Sequence, residues 1–494
     1  RKRCGEKTRM NSSSLLGTGG IVFMCVYLAS LILIGLIGRL ARKENSMADF
    51  YLAGRGMGLF VLFLTLYATQ YSGNTLIGFA GKAYREGYLA IVSVTFMMAV
   101  IGGYFIFAPR LYRISTKNRF ITVGDYIQYR FSSRILTIFA VIIGIIALGN
   151  YIVTNLKAVG HIVEASTGGN ITFIQGVIAL SLTMVIYETL GGLRSVAWTD
   201  VIQGVLLLAG CVFIFGAIEY QYGGISSTAN NLMKNHPELW KPPTGEEKRL
   251  WLSTLVIVFF GISIYPHAIQ RIYAANNETT LRHSFQLMVF MPIVTTLFII
   301  LVGVVGISQF PGLDRDSSEE ITLLLLGDLA NHIPTLSVVM IIFITAAVAA
   351  IMSTIDSALL AISSLFTQDL YRLVRPSATQ SHLTNMGKLF SWIIIAFMAY
   401  LAINLPHTIW RLMEIKLEIL CQVAPAIFLG LHIKSLRASA VLSGLILGTA
   451  VTVVLMFGNT IGIDISNRPW GFHAGIWGLA INFITIGLVS VFKR

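Results

Sequence analysis

Four side chains able to hold a hard cation crowd the stretch TAAVAAIMSTIDSALLAISS, Thr345 to Ser364: Ser353, Thr354, Asp356 and Ser357. The stretch lies inside a long apolar segment. An aspartate at a bilayer centre costs about 2.5–3.5 kcal/mol on insertion scales, so intramembrane carboxylates usually do chemistry. At roughly 100° per residue, Ala350, Ser353, Thr354 and Ser357 share one helical stripe, with Asp356 on its flank. Hydroxyls and a carboxylate on one face make an oxygen-rich nest suited to a hard cation. Serine bonding back to its own helix explains the hydroxyls but leaves Asp356 unexplained.

Two other apolar segments are interrupted. In LFLTLYATQYSGNTLIGFAGKAY the middle reads Ala68-Thr69-Gln70-Tyr71-Ser72-Gly73-Asn74-Thr75. Glycine among polar residues at mid-depth is where a helix can unwind and offer carbonyls to a cation. The plainer reading is a small-residue packing face. In LVIVFFGISIYPHAIQRIY stand Gly261, Ser263, Pro266, His267, Gln270 and Arg271. Pro266 breaks the backbone ladder. His267 is expected to hold the bend or face the cytoplasmic end, since no second metal ligand stands at the right spacing. Asp200, in GGLRSVAWTDVIQG, is either a further cation ligand or a charge at the start of a helix entered from a cytoplasmic loop.

The elements that must position these residues are membrane helices. Of 494 residues 55% are hydrophobic and 12% charged, against about 25% charged in a soluble domain. A span needs roughly 20 apolar residues. Segments meeting that test run near 20–40, 59–81, 88–109, 135–163, 171–190, 199–219, 251–273, 284–309, 335–366, 386–404, 409–431, 437–457 and 474–492, about thirteen helices. Residues 220–250 read as an external loop with a short helix at STANNLMKNH. The net charge of +13 does not signal nucleic acid, because the cations cluster in alternate loops: Arg39, Arg42, Lys43 and Arg55; Arg110, Arg113, Lys117 and Arg119; Arg271 and Arg282; Arg372 and Arg375; Lys434 and Arg437; Lys493 and Arg494. The positive-inside rule then puts the N-terminus outside and the C-terminus in the cytoplasm of a plasma-membrane protein. The tail at 1–19 lies outside, and Met10 reads as the natural start after an upstream remnant. Cys4, Cys25, Cys211 and Cys421 have no metal spacing and read as small buried hydrophobes. No phosphate-binding loop marks an ATP-driven pump, and no base–nucleophile pairing marks an enzyme.

If 20–40 is an extra helix, the interrupted segments become the first and sixth helices of a ten-helix core. Paired interruptions in two halves point to a transporter's binding site.

The motifs DFYLAGRGMG at Asp49, ATQYSGN at Ala68, TVGDYIQYRF at Thr122, GGLRSVAWTDVIQ at Gly191, PHAIQR at Pro266 and AAIMSTIDSALLAISS at Ala349 resemble those of the sodium/solute symporter family, over about 20–490. The resemblance implies an all-α membrane protein with a LeuT-type five-plus-five inverted repeat, one helix before the core and two after it. Repeat one would span about 59–219 and repeat two about 251–431, within a single domain at 20–494. It implies a main sodium site from the carbonyls of Ala68, Tyr71 and Ala350 and the hydroxyls of Ser353 and Thr354. A second sodium would be held by Asp200, Ser353 and Ser357, with Asp356 a ligand or a neighbour. Solute would lie at Gln70, Ser72, Asn74 and Thr75, with Ser263 on the sixth core helix. Asn150 and Lys157, on the third, are candidate partners for a solute carboxylate, although Lys157 could equally reach the outer surface. The proline carriers have aspartate at the Gln70 position, so the solute is expected to be another small organic anion or amino acid. The function implied is inward transport coupled to the sodium gradient, with the lipid bilayer and a small solute as partners. The alternative is a solute-sensing module of a membrane signalling protein; a passive channel would never concentrate its solute.

Overall fold

The computed structural model describes residues 16–72, 74–332, 337–405, 409–458, 462 and 466–492. The expected tail and Cys4 therefore lie largely outside the described residues. Helix α1 (Thr18–Leu40) precedes the core. The first core element is broken: α2 (Leu59–Gln70) ends at Tyr71, whose φ/ψ of −101°/89° leaves the helix. The chain resumes as a π turn over Asn74–Gly78 and then α3 (Phe79–Glu86). Then come α4 (Ser93–Asn118), α5 (Arg134–Ser166), α6 (Phe173–Gly191) and α7 (Leu193–Tyr222).

The second half repeats the interruption. Thr244 and Glu247 form a capping box that starts α8 (Gly245–Gly261), satisfying backbone donors at its open end. A 3-10 turn leads to α9 (Pro266–Ala274), bent 50° from α8. Pro266 is at home there, because the first helical position needs no N–H. Next are α10 (Glu278–Met288), a π turn over Pro292–Leu297, α11 (Phe298–Gln309), α12 (Ser337–Leu365) and α13 (Gln380–Asn404). The last core element is α14 (Ile409–Leu420) and α15 (Ala424–His432), joined by a 3-10 turn. The paired helices α16 (Ala438–Phe457) and α17 (Ala474–Phe492) follow.

Among the described residues eleven helices are long and apolar enough to cross a membrane, twelve spans if α8 and α9 count together. The expected span at 59–81 makes the difference from thirteen, because Tyr71 divides it into α2 and the start of α3. The expected span at 88–109 begins later, at Ser93, behind a 3-10 turn. The loop expected to be external carries its short helix at Gly224–Asn235.

Helix α12 sits at the centre, with every residue from 343 to 365 buried, and rests mainly on α7 and α5. A helix apolar on all sides belongs in such a place. Its small residues let neighbours come close. The outer helices turn large side chains outward, for example Val26 and Ile37 on α1, Ile142 and Ile146 on α5, and Ile178 and Leu182 on α6. Such surface is stable only against lipid. Cys25 faces outward on α1 in the same way, contrary to the expectation of burial, while Cys211 and Cys421 are buried.

Candidate cation and solute site

The break after Gln70 lies against α12. Thr69 and Ser357 hydroxyls are 3.3 Å apart, tying the last turn of α2 to that helix. Helix ends leave carbonyls without intrahelical donors, and α2 ends here by unwinding. Ala68, Tyr71, Ala350, Ser353 and Thr354 are all fully buried in this region. Thr354 Oγ1 donates to the Ala350 carbonyl at 3.0 Å. The Tyr151 side chain, from α5, lies near the hydroxyls of both Ser72 and Thr354.

Asp200 is not at a helix start. It lies two turns into α7, which begins at Leu193, and it is completely buried. The loop reading fails because the helix starts at Leu193, before the apolar stretch expected at 199–219. Ser353 Oγ donates to Asp200 Oδ1 at 2.6 Å, and Thr65 Oγ1 donates to Oδ2. The third partner is Arg271, whose Nη2 lies 2.9 Å from Asp200 Oδ2. Its Nε donates to Thr65 Oγ1 at 2.9 Å, its Nη1 to the His267 carbonyl at 3.1 Å, and its Nη2 also to Ser357 Oγ. Asp200, Ser353 and Ser357 do come together, and the cation between them is a guanidinium. Sequence reasoning counted Arg271 among cytoplasmic loop cations, whereas α9 carries it fully buried into the protein. The signal was there: a buried aspartate needs a counter-charge.

Asp356 does not join this group. Its Oδ2 accepts from the Tyr187 hydroxyl of α6, and its Oδ1 has no partner among the described residues. One residue is about 100° of helix, enough to turn Asp356 away from the face that Ser357 presents to α9.

A cavity of about 980 Å³ reaches the break after Gln70, with Gln70, Ser72, Thr75, Tyr151, Tyr265 and Lys416 on its walls. Its outer walls carry Lys82, Arg85, Lys248, Arg315 and Arg468 against Glu86 and Glu247. Three of the expected solute residues thus line one cavity. The Asn74 side chain lies outside the described residues. Asn150 is absent from the wall; its neighbour Tyr151 takes that place, and the Asn150 carbonyl accepts from Thr154 Oγ1 at 2.8 Å. Ser263 donates to the Phe259 carbonyl and stands against Gly103 of α4, so close that a Cβ on Gly103 would lie 2.8 Å from its own. Lys157 is largely buried and donates to the Leu405 carbonyl at the end of α13, a favourable place for a cation. Tyr151, Tyr265 and Lys416 were missed: aromatics in apolar helices look like core, and Lys416 sits in IWRLMEIKLEIL among other charges.

At the opposite face the way is shut. The segment before α2 lies across the end of α9: Met57 N donates to the Ala274 carbonyl at 3.1 Å, and Asn276 N to the Met57 carbonyl at 3.0 Å. Arg55 donates to the carbonyls of Tyr273, at 3.3 Å, and Phe120. Burial of that guanidinium pushes its pKa below the ordinary value, with the tyrosines nearby opposing the shift.

A family model described as the sodium:solute symporter family matches residues 50–448. The chain is 26% identical over 452 residues to the sodium/pantothenate symporter of Haemophilus influenzae, covering 90% of each. It is 25% identical over 483 residues to the sodium/proline symporter of Salmonella typhimurium, covering 94% of this chain and 93% of that one. A solved substrate-bound, outward-open Na+-coupled sialic acid symporter superposes with a TM-score of 0.79 at 21% identity, over 96% and 98% of the two chains. A nucleobase-cation-symport-1 family transporter gives 0.54 at 12% identity, over 89% and 92%.

Proposed function

The chain belongs to the sodium:solute symporter family, and we propose that it carries a small organic solute inward, with sodium held at the Ala68–Tyr71 break. It is a multi-pass membrane protein of the LeuT-type fold, a sodium-coupled secondary transporter of small solutes and not an enzyme. In our reading sodium is held by the carbonyls of Ala68, Tyr71 and Ala350 and the hydroxyls of Ser353 and Thr354. Solute binds in the cavity at Gln70, Ser72 and Thr75. An all-oxygen set of this kind suits a hard monovalent cation.

The observation that carries the reading is the position of Tyr151, which lines the cavity with Ser72 on the solute side and lies near Thr354 on the sodium side. Sodium that fixes Thr354 also fixes Tyr151 and hence the cavity wall. By linkage, solute must then raise sodium affinity by the same factor. Between Asp200 and Ser357 the Arg271 guanidinium already supplies a positive charge. One sodium per cycle therefore suffices in this reading, and a second would have to displace Arg271.

The cavity opens among residues of the 220–250 loop and Arg315, which lie on the outer side if the cation-rich loops face the cytoplasm. We accordingly read the state as outward-open, in the plasma membrane, with the N-terminus outside. The test is uptake into proteoliposomes holding the purified protein, with radiolabelled L-proline, pantothenate, other amino acids and short monocarboxylates. A sodium gradient should drive accumulation of one of them above equilibrium. Equal uptake with and without the gradient would overturn the reading.

A further inference from the structure

Lys416 is a buried cation without an anion. It lies on α14 with 3% of its surface exposed, and among the described residues no carboxylate reaches its ammonium. The nearest carboxylate in sequence, Glu418, is committed elsewhere. One of its oxygens meets His473 Nδ1 at 3.2 Å and the other accepts from Gly475 N at 3.0 Å. The Lys416 Nζ instead rests 3.3 Å from the centroid of the Tyr151 ring and 5.8 Å from that of Tyr265. A ring face attracts an ammonium, yet it cannot satisfy three N–H donors. Buried charges are otherwise paired, because an unpaired one forfeits its hydration.

Lys416 lines the same cavity as Gln70, Ser72 and Thr75. The cavity's outer walls carry more cations than carboxylates, a field that draws anions inward. We infer that the solute carries a carboxylate and that Lys416 is its counter-ion, with the polar edge of Gln70, Ser72 and Thr75 holding the rest of the molecule. The Lys416 ammonium would then meet a carboxylate only when solute is present. The seat of the ammonium on Tyr151 also places the solute's charge beside a side chain that lies near Thr354. This inference rests on the solute site proposed above.

The experiment uses the full chain in nanodiscs and reads thermal stability. Short monocarboxylates and amino acids are each compared with the corresponding primary amide, in sodium and in potassium. At least one carboxylate should raise the Tm in sodium, and its amide should not. Lys416→Gln should raise the concentration needed for that shift about thirtyfold or more, the usual loss when one member of a buried charge pair is removed. Lys416→Arg should keep part of the response, and both variants should keep the rise in Tm caused by sodium alone. The proposal is overturned if amides match their acids, if no carboxylate acts, or if Lys416→Gln responds as the parent does. Absence of any sodium effect in the parent protein would instead strike the sodium site, so the two failures are distinguishable.

Discussion

Arg271 and Asp200 meet at 2.9 Å with neither side chain exposed to solvent. One comes from the sixth core helix and the other from the fifth, so the pair joins the two halves of the core. Thr65, Ser353 and Ser357 supply the remaining bonds. A pair this deep adds little over an apolar replacement, but stripping one member leaves an uncompensated charge.

Asp200→Asn should therefore destabilise the protein by about 3–5 kcal/mol, seen as a lower Tm. Asp200→Asn with Arg271→Gln should recover part of the loss, since the stranded cation is gone; a double-mutant cycle measures the recovery. The parent should show a sodium Hill coefficient of about one. A coefficient clearly above that would mean sodium displaces Arg271.

Thr354→Ala removes a hydroxyl from the main sodium site and keeps the helix, because alanine is its best former. The sodium concentration for half-maximal uptake should rise about tenfold, for the loss of roughly 1.4 kcal/mol in one oxygen ligand. Ser353→Ala should do the same and also weaken the bond to Asp200, so it should cost stability as well. Unchanged sodium dependence in the double variant would place the ion elsewhere.

Tyr151→Phe keeps the ring beneath Lys416 and removes the hydroxyl near Ser72 and Thr354. Solute should still bind, but its affinity should depend less on sodium. Coupling energies of this kind are about 1–3 kcal/mol, so most of a five- to 150-fold sodium effect should vanish. Isothermal titration with solute at low and at saturating sodium reads it directly.

Arg55→Gln should loosen the closed face by weakening the bonds to the Phe120 and Tyr273 carbonyls. A cysteine at Ala274, fully buried here, should then react faster with a membrane-impermeant maleimide applied from the side of that face. No change in that rate would mean the backbone contacts of Met57 hold the face shut without Arg55.

The fold was legible because its signals are long. Runs of apolar residues fix the spans, and Pro266 and the polar run after Gln70 mark where two of them break. The hydroxyl stripe of α12 was legible too, since Ser353, Thr354 and Ser357 recur at helical spacing. What escaped depended on tertiary placement. Arg271 stands near the end of an apolar segment, where counting loop cations assigns it to the cytoplasm; only the bend at Pro266 turns it inward to Asp200. Asp356 and Ser357 are adjacent in sequence yet face α6 and α9, a separation that the neighbours of α12 decide. Tyr151 gives no polar signal within its apolar helix until Lys416 is seen above its ring.

The contact of Met57 with Ala274 and Asn276 is made entirely by main-chain atoms. Its specificity therefore does not reside in any side chain, and mutational drift at those positions leaves it intact. Proline at residue 57 or 276 is the exception, since each deletes a donor. Two such bonds contribute about 1 kcal/mol each, little enough for thermal motion to release them many times a second. A latch of this kind is heritable as backbone geometry, and lineages that change cargo can rebuild the cavity while leaving the door as it was.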